Sequence, residues 1–125
     1  MNSNKTIIAV IDDEESICKG LDRLLRSAGF TARSFRSGVD FFRSLEGDRP
    51  ACLVLDICMM PMSGLAVLDR LAQLNIKLPV IVITGDDREE TYEQAIDKGI
   101  AAFLRKPVDG QVLLDAIGLA LGHGG

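Results

Sequence analysis

The chain has 125 residues, 47% of them hydrophobic, enough for one domain with a single buried core and too few for two. Its formal charge of −4 argues against direct contact with nucleic acid or an anionic membrane, since both recruit clustered Lys and Arg. Three cysteines without metal-ligand spacing (Cys18, Cys52, Cys58), no signal-like apolar segment and no run near the roughly 20 apolar residues of a membrane span together predict a cytoplasmic protein.

In chain order, 7–11 (Ile-Ile-Ala-Val-Ile) reads as a strand, closed by Asp12-Asp13-Glu14-Glu15. Ile17, Leu21, Leu24, Leu25 and Ala28 then recur at helical period, and Gly29 stops that helix. A second strand over 31–35 leads to Ser37 as an N-cap, a short helix carrying Phe41, Phe42 and Leu45, and Gly47 as its stop. The third strand, 52–55, ends in Asp56, and Ser63 caps a helix with a stripe of Leu65, Leu68, Leu71 and Leu74. The fourth, 80–84, ends in Thr84; Asp87, with Glu90 three residues on, reads as a capping box for a helix carrying Tyr92, Ala95 and Ile96, stopped by Gly99. The fifth, 101–104, is followed by Lys106. Asp109 then caps a helix with Val112, Leu113, Ala116, Ile117 and Ala120 on one face.

Five βα units in strict alternation predict an α/β fold, with a doubly wound parallel sheet of five strands and helices on both faces. The favoured strand order is 2-1-3-4-5, flavodoxin-like, with its switch point between strands 1 and 3. One domain is expected over 1–125, with its core at about 6–121 and a flexible Gly-rich tail, 122–125, in which His123 is solvated and inert.

Strands of a parallel sheet bring their C-terminal ends to one edge, so Asp12, Asp13, Asp56 and Lys106 can converge. Carboxylates held close repel by roughly 1 kcal/mol per pair at 4 Å in water and about 4 at an effective dielectric of 20, so a proton or a cation must relieve them. Oxygen donors without His or Cys select a hard ion, Mg2+ before Zn2+ or Cu2+. A lysine on the far side suits an anionic group held between it and the metal, and Thr84 adds a hydroxyl beside the open Gly85. Metal, lysine and hydroxyl around a carboxylate describe phosphoryl transfer, with Asp56 itself able to act as nucleophile.

The run Asp12 to Glu15, Leu-Asp-Ile at 55–57 followed by Met62-Ser63-Gly64, Val82-Ile83-Thr84-Gly85 and Lys106-Pro107 together resemble the receiver domain of two-component response regulators. The resemblance runs from about residue 7 to 121 and is strongest to receivers of the nitrogen-fixation and nitrate-response branch, whose output is a helix-turn-helix domain. It implies that Asp56 accepts a phosphoryl group from a sensor histidine kinase. It further implies that Asp13, Asp56 and the backbone carbonyl of Cys58 bind Mg2+ directly, with Asp12 acting mostly through water. Lys106 would pair with the phosphoryl group, Thr84 would hydrogen-bond it, and Phe103 would be the switch aromatic. Phosphorylation would change the surface of helix 4, strand 5 and helix 5, with homodimerisation a possible consequence. Such a protein is no enzyme in the ordinary sense, for it catalyses only its own phosphorylation and dephosphorylation. Pro107 matches a position that is often cis. Met60-Pro61 departs from the family, which commonly has Pro at 60, and Cys58 and Asp86 hold positions that tune phosphate lifetime.

Taken singly, these residues have plainer readings. Asp12 and Asp13 could only start a helix, Thr84 could only end a strand, Phe103 could be core, and the cysteines could be small hydrophobes. Among other classes, a nucleotide-binding domain would need a Gly-rich turn after strand 1, and an aspartyl phosphohydrolase usually carries its nucleophile at the end of that strand. The remaining alternative is a stand-alone receiver serving as a phosphate sink or protein-binding module.

Overall fold

A computed structural model of the chain describes residues 6–58, 63–86 and 88–122. Expectations for Met60-Pro61, Met62, the Asp87 cap and His123 lie outside the described residues. Five strands, β1 (Ile7–Ile11), β2 (Thr31–Phe35), β3 (Cys52–Asp56), β4 (Val80–Thr84) and β5 (Ala102–Arg105), pair in parallel in the order β2-β1-β3-β4-β5. Between and after them run α1 (Glu15–Ser27), α2 (Gly38–Ser44), α3 (Gly64–Gln73), α4 (Glu89–Asp97) and α5 (Gly110–Ala120). The expected fold class and strand order are both present.

Side-chain alternation along each strand divides the interior in two. Ile8 and Val10 of β1 join Val54, Ile81 and Ile83 on the face covered by Leu21 and Leu25 of α1 and Leu113 and Ile117 of α5. Ala9 and Ile11 join Leu53, Leu55 and Val82 on the opposite face, under Phe41, Val67, Leu68, Leu71 and Ala95. The central strands β3 and β4 are buried at every residue, which is why they read as unbroken apolar runs, whereas the edge strands β2 and β5 are partly exposed. Among the described residues no helix is long and apolar enough to cross a membrane.

Several local expectations are corrected. β3 extends through Asp56, and β5 starts one residue later than expected, at Ala102. α3 buries Gly64, Val67, Leu68 and Leu71, while Leu74 is 46% exposed. A stripe spaced by threes throughout drifts around a helix of 3.6 residues per turn, so its last member leaves the buried face. In α4, Thr91 and Ala95 face inward, and Tyr92 and Ile96 are 41% and 44% exposed. Its N-cap position is Arg88, whose side chain makes no capping bond. α2 ends at Ser44 with Leu45 as C-cap, ahead of Gly47. Ser37, Ser63 and Asp109 cap as expected, accepting from the backbone N–H of Asp40, Ala66 and Val112 at 3.1, 3.2 and 3.1 Å. Gly29 and Gly99 follow α1 and α4 at φ of 93° and 80°, where a side chain would be strained.

Candidate acidic phosphoryl and metal site

Strand register assembles the site. Ile11 pairs with Leu55, Asp56 with Ile83 and Thr84 with Arg105, so the residues at and just beyond the C-terminal ends of β1, β3, β4 and β5 share one edge. Asp12, Asp13 and Asp56 each offer a carboxylate oxygen, and these three oxygens lie within 4.8 Å of one another. Asp12 is fully buried and Asp56 is 3% exposed, while Asp13 faces solvent. Asp12 Oδ1 accepts from the Glu14 N–H at 2.9 Å and Asp56 Oδ1 from the Cys58 N–H at 3.0 Å, so local backbone turns orient both carboxylates. Gly64 packs closely against the backbone of Asp56 and Ile57, leaving no room for a side chain. A Cβ there would stand 2.5 Å from Ile57 Cα and 2.8 Å from the Asp56 carbonyl oxygen, both backbone atoms.

The lysine is not across the pocket. Lys106 Nζ lies 3.0 Å from Asp12 Oδ2, 3.5 Å from Asp56 Oδ2 and 3.6 Å from Glu14 Oε1. The crowded carboxylates draw the partly buried Lys106 ammonium in among them, and Glu14 lines the rim at the N-cap position of α1. Burial lifts the Asp56 carboxyl above its ordinary range, and the neighbouring Asp12 charge adds to this against the pull of the Cys58 N–H and Lys106. For Lys106, burial works against the ammonium, but Asp12, Asp56 and Glu14 together outweigh it and hold the group above the usual lysine range. Although the ammonium is close to Asp12 Oδ2, no hydrogen bond of good geometry reaches that buried oxygen. A second donor position is therefore open to a cation, and the all-oxygen set fits Mg2+.

Thr84, fully buried, presents Oγ1 to the Asp86 N–H at 2.9 Å and to Cys58 Sγ at 3.4 Å. Phe103 lies farther out, half-buried, edge-on to Tyr92 with ring centroids 5.0 Å apart. The Lys106–Pro107 peptide is cis. Cys52 is pushed up to about 11 by burial, and the buried Cys18 thiol donates to the Asp12 carbonyl at 3.2 Å, consistent with plain packing roles.

Two features were missed in the sequence. The Asp86 carboxylate is gripped by Arg88, with Nη2 at 2.7 Å and Nε at 3.1 Å, and by Thr91 Oγ1 at 2.9 Å. Arg105 Nη1 donates to the Asp86 carbonyl at 3.1 Å while its guanidinium sits 5.6 Å from the Phe103 ring centroid. An acidic residue just past a strand end, with Arg two residues on, was the available signal for the first. Nothing in the local pattern marks the second, because it joins the end of β5 to the loop after β4.

The sequence model of the response regulator receiver domain matches residues 8–118. Nodulation protein W of Bradyrhizobium diazoefficiens is 38% identical over 115 residues, covering 92% of this chain and 51% of that protein. The DNA-binding transcriptional regulator NtrC of Escherichia coli K12 is 33% identical over 117 residues, 94% of this chain and 25% of that one. Among solved structures, FixJ-N superposes with a TM-score of 0.87 at 32% identity, covering 96% of each chain. Full-length FixJ from B. japonicum gives 0.87 at 30% identity, with 96% of this chain and 59% of that one covered. The chain thus spans about half the length of the first curated relatives it matches.

Proposed function

This chain belongs to the response regulator receiver domain family, and from that membership we propose that it is a phosphoacceptor switch whose chemical centre is Asp56. The observation that carries the proposal is the convergence of Asp12, Asp13 and Asp56 within 4.8 Å, with Lys106 among them. A sensor histidine kinase supplies the phosphoryl group. A carboxylate oxygen of Asp56 attacks phosphorus, the P–N bond of the kinase's phosphohistidine breaks, and its electron pair leaves with the imidazole. Asp12, Asp13, Asp56 and the Cys58 carbonyl would hold Mg2+, which when bound would neutralise charge on the transferring oxygens. Lys106 leaves its carboxylate partners for the new phosphoryl oxygens, and Thr84 donates its hydroxyl proton to one of them. The protein catalyses only its own phosphorylation and dephosphorylation.

Beside the pocket, Ile17, Gly20, Leu24, Pro107 and Gly110 line a largely apolar groove of about 390 Å³, where a kinase helix can dock with its histidine toward Asp56. On the output side, Tyr92, Ile96, Val112 and Leu119 expose apolar surface on α4 and α5. This is the surface, with β5, through which phosphorylation would reach a second copy or an output domain that regulates transcription in the cytoplasm.

The test is incubation with a small phosphodonor, with and without Mg2+, followed by intact-mass analysis. A Mg2+-dependent, hydroxylamine-labile adduct that disappears in Asp56→Asn is expected. Absence of an adduct with every donor tried would overturn the reading.

A further inference from the structure

Thr84 and Phe103 lie on neighbouring strands and on one face of the sheet, since Val82 pairs with Phe103, Thr84 pairs with Arg105, and alternate residues share a face. One chain of contacts joins them. The Asp86 N–H binds Thr84 Oγ1 at 2.9 Å, the carbonyl of the same residue accepts from Arg105 Nη1 at 3.1 Å, and the Arg105 guanidinium lies 5.6 Å from the Phe103 centroid. Phe103 in turn meets Tyr92 of α4 edge-on. We propose that Arg105 is a positioning residue that couples the Thr84 hydroxyl to the Phe103–Tyr92 pair through the backbone of Asp86. Its significance for signalling rests on the phosphoacceptor reading above.

Three physical points support the assignment. Arg can donate an in-plane hydrogen bond and lay a planar cation against an aromatic ring at once. Asp86 cannot absorb a pull on Thr84 by relaxing alone. Its carboxylate is held by the Arg88 side chain, the Arg88 N–H at 2.9 Å and the Thr91 hydroxyl. A shift of Thr84 therefore moves the Asp86 residue as a unit, and Arg105 moves with its carbonyl. Finally, because Thr84 Oγ1 accepts from the Asp86 N–H, its own proton is left for another acceptor, Cys58 Sγ at 3.4 Å or an oxygen in the pocket. The same N–H that links Thr84 to Arg105 thus sets the hydroxyl up as a donor.

Arg105 is exposed, so replacing it leaves the core intact. The chain has one tyrosine and no tryptophan, so a ring-labelled tyrosine NMR signal reports Tyr92 alone. Thr84→Val removes the hydroxyl at nearly constant shape, and Thr84→Ala serves if that variant does not fold. The expected result is that the Thr84 substitution displaces the Tyr92 signal in the otherwise unchanged chain. In an Arg105→Ala background the displacement shrinks at least about threefold, as for coupled rather than independent sites. Arg105→Lys, which keeps a donor and a cation, restores most of it. An equal displacement with and without Arg105, or none in the unchanged chain, overturns the proposal. No phosphodonor is used, so failure to form an aspartyl phosphate would defeat the phosphoacceptor reading without altering this result.

Discussion

Asp56 is held in a place that does not suit its ionised form. It is almost wholly buried, shares its surroundings with Asp12, and has its carboxyl lifted above the ordinary range by that burial. Between the carboxyl's ordinary value of 3.8 and its raised folded value, the folded chain binds more protons than the unfolded one. Stability therefore falls as pH rises through that window, and at neutral pH the ionised group weighs against folding. Asp56→Asn, which removes the charge at constant shape, should unfold later than the parent chain near pH 7, by about 1 kcal/mol, the scale of one carboxylate repulsion. The advantage should shrink as acid protonates Asp56 in the parent. Urea titrations at several pH values check this, and a constant or reversed difference would contradict it. Asp56 is thus maintained at a cost in stability, as expected where function rather than packing fixes a residue.

At the scale of elements, the strands were legible and the helix surfaces less so. β1, β2 and β4 have the bounds expected of them, and at β1 the end is marked by the change from Ile11 to Asp12. The helix faces depend on which side of a cylinder meets the sheet, and α4, with only Thr91 and Ala95 buried, gives a weak signal that Tyr92 and Ile96 outweigh in the sequence. Its start was also hidden. Arg88 at the N-cap position offers no capping oxygen, and Asp86, two residues earlier, accepts from the Arg88 N–H and the Thr91 hydroxyl instead. Hydrogen bonds from Arg88 foremost hold the Asp86 carboxyl well below the usual carboxylate range. A depressed value means stability that is present above the ordinary carboxylate value and is lost as pH falls toward the folded one. Asp86→Asn should therefore speed amide exchange in the first turn of α4 at neutral pH. The difference from the parent chain should narrow in acid, and exchange rates equal at neutral pH would show that Asp86 does not anchor the helix.

Over the whole molecule, the edge where four strands end was readable because parallel topology leaves little freedom: once five βα units are recognised, the C-terminal ends must lie together. What could not be read was the arrangement among side chains there, notably that Lys106 sits between Asp12, Asp56 and Glu14 rather than opposite them. Such detail follows from a balance of repulsion, burial and reach that has no sequence period. That balance leaves three carboxylates near one ammonium, on a chain already at −4. A divalent cation that binds only the folded site must then stabilise the whole fold, by about 2.7 kcal/mol at a concentration 100-fold above its Kd. For a domain of this size that is a rise of about 8–16 °C in Tm, at roughly 3–6 °C per kcal/mol. The rise should be largest for Mg2+ in the unchanged chain and largely lost in Asp13→Asn, since Asp13 is the exposed member of the three carboxylates. Sodium at equal ionic strength should give little of it, which separates site binding from screening of surface charge. A Tm that responds equally to both salts, or equally in Asp13→Asn, would mean that the carboxylates meet without forming a metal site.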